Sequence, residues 1–263
     1  MKNHLKRLVA PRSWLLDRAA KIFTVRPNPG AHSLAFGLPL GILLRDKLKV
    51  ASSMSEVKKM LRHNEVLIDG TRRQDYRFMV GLFDVLSLAQ QHYRLLLDKK
   101  GRLVLVAIPA AESSLKTCRI IGKKVLSKGK IQGNLHDGRN ILFNEEIKVG
   151  DSVLLTLPQG QVQEVFPLKI GVAVLLIKGK HSGDAGILKE IKGNEAAYTV
   201  AGKDIETAKA YLFVVGNKEP AVTITPPITL PIIPPITSTI KTNVSLTSKT
   251  DLSPVSESDV SKV

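Results

Sequence analysis

The spacing of apolar residues divides the chain into a short helical region followed by a long region of strands. Leu40, Leu44 and Leu48 recur at one-turn intervals, while basic residues lie between them. This spacing predicts an amphipathic helix over residues 41–50 that ends near Ala51.

A second helix is predicted directly after the first. Ser53 followed three residues later by Glu56 matches a capping box, in which each residue satisfies a free backbone N–H of the first turn. The apolar stripe of this helix then consists of Val57, Met60 and Leu61. Its basic residues lie on the other side.

A β-hairpin is predicted after the second helix. Val66 and Ile68 are spaced as the alternate positions of a short strand, and Asp69-Gly70 is a residue pair typical of a two-residue turn. Arg72 and Arg73 would begin the return strand. Basic side chains from both helices and the hairpin could therefore converge on one surface.

The pattern downstream is that of β-strands separated by turn residues. Strands are predicted over residues 82–89, 93–97 and 103–108, with residues 98–101 as a hairpin loop. Short strands and turns continue to residue 170, which favours a compact β domain.

Another β unit is predicted over residues 171–216. Its first two strands flank a glycine-rich loop that carries Lys178, Lys180 and His181. The glycine spacing matches neither the Walker pattern nor the dinucleotide fingerprint, and no helical pattern follows. A nucleotide-binding loop is therefore not expected.

The last stretch, residues 217–263, changes composition. It holds seven of the fourteen prolines together with many Ser and Thr residues. Because proline donates no backbone hydrogen bond, a regular sheet is not expected there, and no helical pattern is visible. We predict a low-complexity, disordered tail.

Charge distribution favours a polyanionic partner. The formal net charge is +16, and residues 1–77 contain sixteen Lys and Arg against six Asp and Glu. Such an excess promotes nucleic-acid binding through counterion release. Most single basic residues are nonetheless expected to be ordinary solvated surface groups.

The N-terminal arm, residues 1–40, is basic and rich in proline. Its basic residues suit contact with a phosphate backbone, and the ring of Trp14 could stack on a base. Alternatively, Trp14 anchors the arm to the following domain. His4 and His32 are more readily explained as hydrogen-bonded surface groups than as metal ligands.

Several classes of protein are disfavoured by what the sequence contains. Cys118 is the only cysteine, so no intrachain disulfide or cysteine-based zinc site is expected. No apolar run is long enough for a membrane span or a signal peptide. Asp69, Asp75 and Asp84 are expected to act as turn formers and ion-pair partners, not as general acids.

The order of these parts resembles the archaeal and eukaryotic S4e family of small-subunit ribosomal proteins. The resemblance spans residues 1 to about 216. It is carried by HLKRLVAP with Trp14, PNPGAHSLAFGLPLGILLRDKL, EVKKML, VLIDGTRRQDYRFMVGLFDVLSL and NLHDGRNILF. It implies an α+β, mostly β, multidomain protein.

The resemblance also implies a domain division. It comprises an αα-β-hairpin RNA-binding module at 41–105, a central β domain at 106–170 and an SH3-like barrel with a KOW motif at 171–216. The basic arm at 1–40 precedes them, and the tail at 217–263 lies outside the resemblance. Glu56 stands where the RNA-binding module often carries arginine, which shifts the expected contacts to Lys58, Lys59 and Arg72. Asp184 stands where a basic residue is common in the KOW motif and would weaken phosphate contact there.

The function implied is that of a structural constituent of the small ribosomal subunit, located on ribosomes in the cytoplasm. Its partners would be small-subunit ribosomal RNA and neighbouring ribosomal proteins, with no membrane, small-molecule substrate, metal or cofactor. The alternatives are an RNA-modifying enzyme and a transient KOW-type transcription or translation factor. The candidate RNA-binding residues are Lys2, His4, Lys6, Arg7, Arg12, Trp14, Arg45, Lys58, Lys59, Arg62, Arg72, Arg73, Lys178, Lys180 and His181.

Overall fold

The computed structural model describes residues 4–144, 146–200 and 202–224 of the 263-residue chain. Lys2 and residues 225–263, which include most of the predicted tail, lie outside the described residues. The described part is mostly β, with few helices, as the sequence predicts.

The helical region is short and precedes the first large sheet. One helical turn, α1 (Leu40–Ile42), continues as a π-helical segment over Leu43–Lys47, so this helix is shorter than predicted. The second helix, α2 (Met54–His63), begins after Ser53, whose hydroxyl accepts the N–H of Glu56 at 3.2 Å. The predicted cap is therefore present.

A five-stranded antiparallel sheet follows and includes the predicted hairpin. Its strand order is β5-β4-β7-β8-β9. The N-terminal strands β1 and β2 pair with each other, as do β3 and β6. The strands of this half are β1 (Leu5–Lys6), β2 (Phe23–Thr24), β3 (Gly37–Pro39), β4 (Val66–Ile68), β5 (Thr71–Arg72), β6 (Met79–Gly81), β7 (Val85–Leu88), β8 (Gln91–Leu97) and β9 (Leu103–Ile108).

The strand predicted over residues 82–89 is present but shorter, because β7 begins only at Val85. A turn separates β6 from β7, with Phe83 in the left-handed region at φ 67°. The Asp84 carboxylate closes this turn by accepting the Gly81 N–H at 2.7 Å. The sequence did not indicate this turn, because Phe83 is a large apolar residue and not a typical turn residue. In the structure it is buried.

A second sheet has the order β12-β11-β10-β13-β14 and a small core of its own, in which Cys118 is buried. The long strand β10 pairs with β13 through its first half and with β11 through its second half. Its strands are β10 (Leu115–Val125), β11 (Ile131–Leu135), β12 (Asn140–Phe143), β13 (Ser152–Thr156) and β14 (Gln161–Phe166).

The third sheet has the order β18-β17-β16-β15-β19. Its residues share one continuous core with the first sheet; for example, the rings of Phe83 and Phe213 lie 4.7 Å apart. Gly183 packs so closely on the carbonyl of Asp98 that a Cβ would lie 2.0 Å from the oxygen. The strands are β15 (Ala173–Leu176), β16 (Ala185–Lys192), β17 (Glu195–Val200), β18 (Lys203–Ala208) and β19 (Leu212–Gly216).

Candidate nucleic-acid interface

The hairpin between β4 and β5 turns as its sequence predicts. Asp69 and Gly70 both adopt left-handed conformations, with φ of 52° and 74°. Two successive positive φ angles define the tight turn that matches the twist of antiparallel strands. Arg72 is thereby placed at the start of the return strand, exposed to solvent.

The outer side of α2 and the return strand form one basic surface. The Arg72 guanidinium donates a hydrogen bond to the carbonyl of Arg62 at 3.1 Å, near the end of α2. The Lys58 amine lies 4.8 Å from the centre of the Tyr76 ring. We call this surface the helix–hairpin face. It comprises Lys58, Lys59, Arg62, Arg72 and Arg73.

The five side chains differ in how freely they can meet a ligand. Arg73 is half-buried, and its guanidinium stacks 4.5 Å from the centre of the Phe78 ring. Within the described residues, the side chains of Lys59 and Arg62 are exposed and have no hydrogen bond or ion pair. These two are therefore the freest cations of the face, whereas Arg73 also contributes packing.

Glu56, which stands where a basic residue was expected, serves the start of α2. Its carboxylate accepts both the backbone N–H and the hydroxyl of Ser52, at 2.8 and 2.9 Å. These hydrogen bonds lower the pKa of Glu56. Ser53 thus remains the N-cap, but the Glu56 carboxylate reaches back to Ser52, one residue before it, and is held at the positive end of the helix.

Two residues of the arm that were predicted to contact RNA have buried side chains. Trp14 is 0% exposed, and its indole N–H donates to the carbonyl of Leu34 at 3.0 Å. Arg7 is 5% exposed and lies 3.6 Å from Asp46. Trp14 therefore anchors the arm to the main core, the alternative that its sequence left open, and cannot stack on a base in this conformation.

Arg45 is also engaged within the protein. Its guanidinium makes two hydrogen bonds with the Asp46 carboxylate, at 2.7 and 2.9 Å. These bonds raise the pKa of Arg45. An arginine paired in this way offers less charge to a phosphate than a free one.

The remaining predicted residues are spread over the arm and the glycine-rich loop. His4, Lys6 and Arg12 are exposed in the arm. Lys178 and Lys180 are exposed in the loop. The half-buried His181 lies 3.5 Å from Asp184, so the acidic residue noted in the sequence does reduce the positive character there.

Asp69 and Asp84 form ion pairs as predicted, but the buried ionic cluster behind the hairpin to which they belong was not predicted. The Lys116 amine lies 2.6 Å from Asp69, 2.6 Å from Asp84 and 3.2 Å from Asp137, and it is almost completely buried. Arg139 bridges Asp69 and Asp137 at 3.0 and 3.3 Å. The cluster therefore ties the turn of the hairpin to the second sheet.

Lys116 and Asp84 are held in charged form in this cluster, whereas burial and the charge of Asp84 raise the pKa of Asp69. Burial alone would lower the pKa of Lys116, but the carboxylates of Asp84 and Asp69 raise it well above its usual range. Burial alone would raise the pKa of Asp84, but Lys116 and His32 hold it far below its usual range. Among the described residues no group of His, Cys, Asp or Glu side chains is arranged to hold a metal ion.

His136 lies beside this cluster and gives a pH-dependent prediction. Burial and the charge of Lys116 lower the pKa of His136 to about 4. Its ring accepts the backbone N–H of Arg119 and lies 3.2 Å from the carbonyl of Leu82. Because the unfolded chain protonates near 6.5 and the folded chain near 4, acidification between these values favours unfolding.

We expect this titration to remove about 2–3 kcal/mol of unfolding free energy between pH 7 and pH 4.5. Urea unfolding of the wild type and of His136→Gln at both pH values measures it, since glutamine keeps a donor and an acceptor but does not titrate. His32 acts in the opposite sense, because its raised pKa makes its contribution complete below 6.5. Because His32 is present in both proteins, its contribution cancels when the wild type is compared with His136→Gln. Equal losses of unfolding free energy in the two proteins would contradict the role given to His136.

Three protein-family models match parts of this chain. Residues 1–35 match the RS4NT domain, residues 40–86 the S4 domain, and residues 89–162 the ribosomal family S4e. The helix–hairpin face lies wholly within the S4 match. In the part of the chain that the structure covers, no helix is long and apolar enough to span a membrane.

Individual relatives agree with these matches. The chain is 42% identical over 228 residues to the small ribosomal subunit protein eS4 of Methanocella arvoryzae, covering 84% of this chain and 97% of that protein. It is 38% identical to the eS4 protein of Methanothermobacter thermautotrophicus, covering 85% and 96%. The crystal structure of the 30S ribosomal protein S4e from Thermoplasma acidophilum matches with a TM-score of 0.62 and 25% identity, covering 69% of this chain and 95% of that one.

Proposed function

Since the chain belongs to the S4e family of ribosomal proteins, we propose that it binds small-subunit ribosomal RNA through its helix–hairpin face. Family membership makes the protein a structural constituent of the small ribosomal subunit and not an enzyme. The position of this face within the S4 domain, an RNA-binding domain, is the observation that carries the proposal.

The chemistry of the face suits the backbone of folded RNA. A-form RNA hides its base edges in a deep, narrow groove, so proteins contact mainly its phosphates, its 2′-hydroxyls and its shape. Lys59 and Arg62 project from α2 without partners in the described residues, and Arg72 is held beside them by its bond to the end of the helix. Arg72 is therefore presented in a fixed position at low ordering cost, and Lys59 and Arg62 add positive charge that no group of the described residues neutralises.

We propose the finer architecture on the same basis. Residues 1–40 would form the arm, 41–105 the RNA-binding module, 106–170 the central domain, and 171–216 an SH3-like barrel with a KOW motif. The five antiparallel strands from β15 to β19 and the glycine loop between β15 and β16 support the last assignment. The protein would reside on ribosomes in the cytoplasm, in contact with neighbouring ribosomal proteins.

Salt dependence tests the electrostatic part of this proposal. If about six phosphates are neutralised, affinity for a small-subunit ribosomal RNA transcript should fall roughly as the fourth to fifth power of salt concentration. Filter binding between 50 and 300 mM KCl measures the slope. An affinity that barely changes over this range would exclude phosphate neutralisation as the basis of binding.

Residence in the subunit is tested separately by sedimentation. A structural constituent should stay with small subunits through a high-salt wash, because many contacts hold it in the assembled particle. A protein that appears quantitatively in the wash supernatant would instead behave as a transient factor.

A further inference from the structure

A second basic surface lies in a groove between the N-terminal arm and the loop that joins β8 to β9. The groove has a volume of about 460 Å³. Its walls carry Arg12 and Arg18 from the arm and Lys100 and Arg102 from the loop, and no carboxylate lines it. We call it the arm–loop groove.

Most of these cations are not neutralised by the protein. Within the described residues, the side chains of Arg12, Lys100 and Arg102 have no hydrogen bond or ion pair. Arg18 is held in place by hydrogen bonds to the carbonyls of Leu8 and Ala10, at 2.9 and 3.1 Å, which leave its positive charge uncompensated. Four like charges around one cavity repel one another unless an anion enters.

The turn of the loop fixes two of the cations. Gly101 has φ 67° and donates its N–H to the carbonyl of Asp98 at 2.8 Å, so Lys100 and Arg102 flank a tight, ordered turn. Lys47 lies close to this site and donates to the carbonyl of Leu15 at 3.2 Å. Burial lowers the pKa of Lys47, the Asp46 carboxylate raises it, and the charge of Arg102 lowers it further, so Arg102 is close enough to repel Lys47.

The positive surface continues beyond the groove into the glycine-rich loop. A Cβ on Gly101 would lie 3.2 Å from the hydroxyl of Ser182, so the two loops are in contact. Lys178 and Lys180 are exposed on the second loop. Cations from the arm, the β8–β9 loop and the glycine-rich loop therefore form an extended surface, which suits a long polyanion better than a single small anion.

We propose that the arm–loop groove binds the phosphate backbone of ribosomal RNA, as a second contact separate from the helix–hairpin face. This inference rests on the proposed function. Among the described residues no aromatic ring lines the groove, so they supply no stacking platform for single-stranded bases. Arginine guanidinium groups match phosphate geometry, and contacts of this kind set position without reading sequence.

The test compares three variants of the full-length protein for binding to a small-subunit ribosomal RNA transcript. The groove variant is Arg12→Glu, Lys100→Glu and Arg102→Glu; Arg18 is left intact because it bonds to the arm. The control variant, Lys169→Glu, Lys203→Glu and Lys218→Glu, changes the net charge equally at exposed positions outside the groove. The face variant is Lys59→Glu with Arg62→Glu.

We expect the groove variant to weaken binding more than the control, and its slope of log affinity against log salt to become shallower by about 2 to 3. Its melting temperature should stay near that of the control, since the three substituted side chains have no partners. A fourth variant that carries the substitutions of both the groove and the face variants should lose more affinity for RNA than either variant alone.

Two results would overturn the inference while leaving the proposed function intact. In one, the groove variant binds RNA like the control while the face variant loses binding. In the other, the groove variant binds RNA normally but fails to enter small subunits, which would identify an acidic protein as the partner of the groove. If the wild type itself binds the transcript no better than an unrelated basic protein, the proposed function fails.

Discussion

Replacing Lys116 by alanine is expected to lower the free energy of unfolding by about 3–5 kcal/mol. The substitution removes the only ammonium group among three buried carboxylates and leaves Asp69, Asp84 and Asp137 with less positive charge to balance them. Removing one partner of a buried ion pair costs much more than the pair itself contributes, because the remaining charge stays desolvated. Urea unfolding followed by circular dichroism measures the loss.

Lys124→Ala is the matched control, since Lys124 lies on the same strand, β10, but is exposed. A change within about 0.5 kcal/mol is expected there. If Lys116→Ala loses no more than this control, then Lys116 is not desolvated as described. Adding Asp69→Asn to Lys116→Ala should recover part of the loss, because the amide removes one uncompensated charge and keeps an acceptor for the Val85 N–H.

The parts of the fold that the sequence predicted well are those with local causes. The turn at Asp69-Gly70 follows from the conformational freedom of those two residues, and the start of α2 follows from the Ser53 hydroxyl. Both depend on atoms within four residues along the chain. No tertiary contact is needed to specify them, so single-sequence reasoning suffices.

The buried cluster could not be predicted in the same way, because its pairs are far apart in sequence. Lys116 bonds to carboxylates 32 and 47 residues away. One local signal was nevertheless present: Lys116, Cys118 and Ile120 alternate along β10 and are all buried. A lysine on the apolar face of a strand indicates a buried cation, and a buried cation requires acidic partners.

The burial of two candidate RNA-binding residues, Arg7 and Trp14, could not be predicted for a related reason. Composition shows where basic residues are abundant but not which side chains fold inward, as those of Arg7 and Trp14 do. Conversely, Arg18, Lys100 and Arg102 gather around one groove only after the arm packs on the first sheet. Counting charges along the chain therefore located the basic region. It could not show which basic residues of that region the fold leaves exposed on one surface.

The Lys59→Glu, Arg62→Glu variant is expected to bind small-subunit ribosomal RNA about 100-fold more weakly at 0.1 M salt. Each lost phosphate contact reduces affinity by roughly tenfold at this concentration, and the introduced carboxylates repel the backbone as well. The two side chains are the freest cations of the helix–hairpin face, so their replacement disturbs little packing. Filter binding against the transcript, with thermal melts of each protein, measures both effects.

Two comparisons make this result specific to the face. Lys169→Glu with Lys203→Glu changes the net charge equally at exposed positions in the third sheet and the segment before it, and should weaken binding far less. Arg73→Ala should lower stability as well as affinity, since its guanidinium packs on the Phe78 ring. Equal losses of affinity in the face variant and in its charge-matched control would mean that binding depends on total charge alone, and the S4 region would then have no special role in holding the RNA.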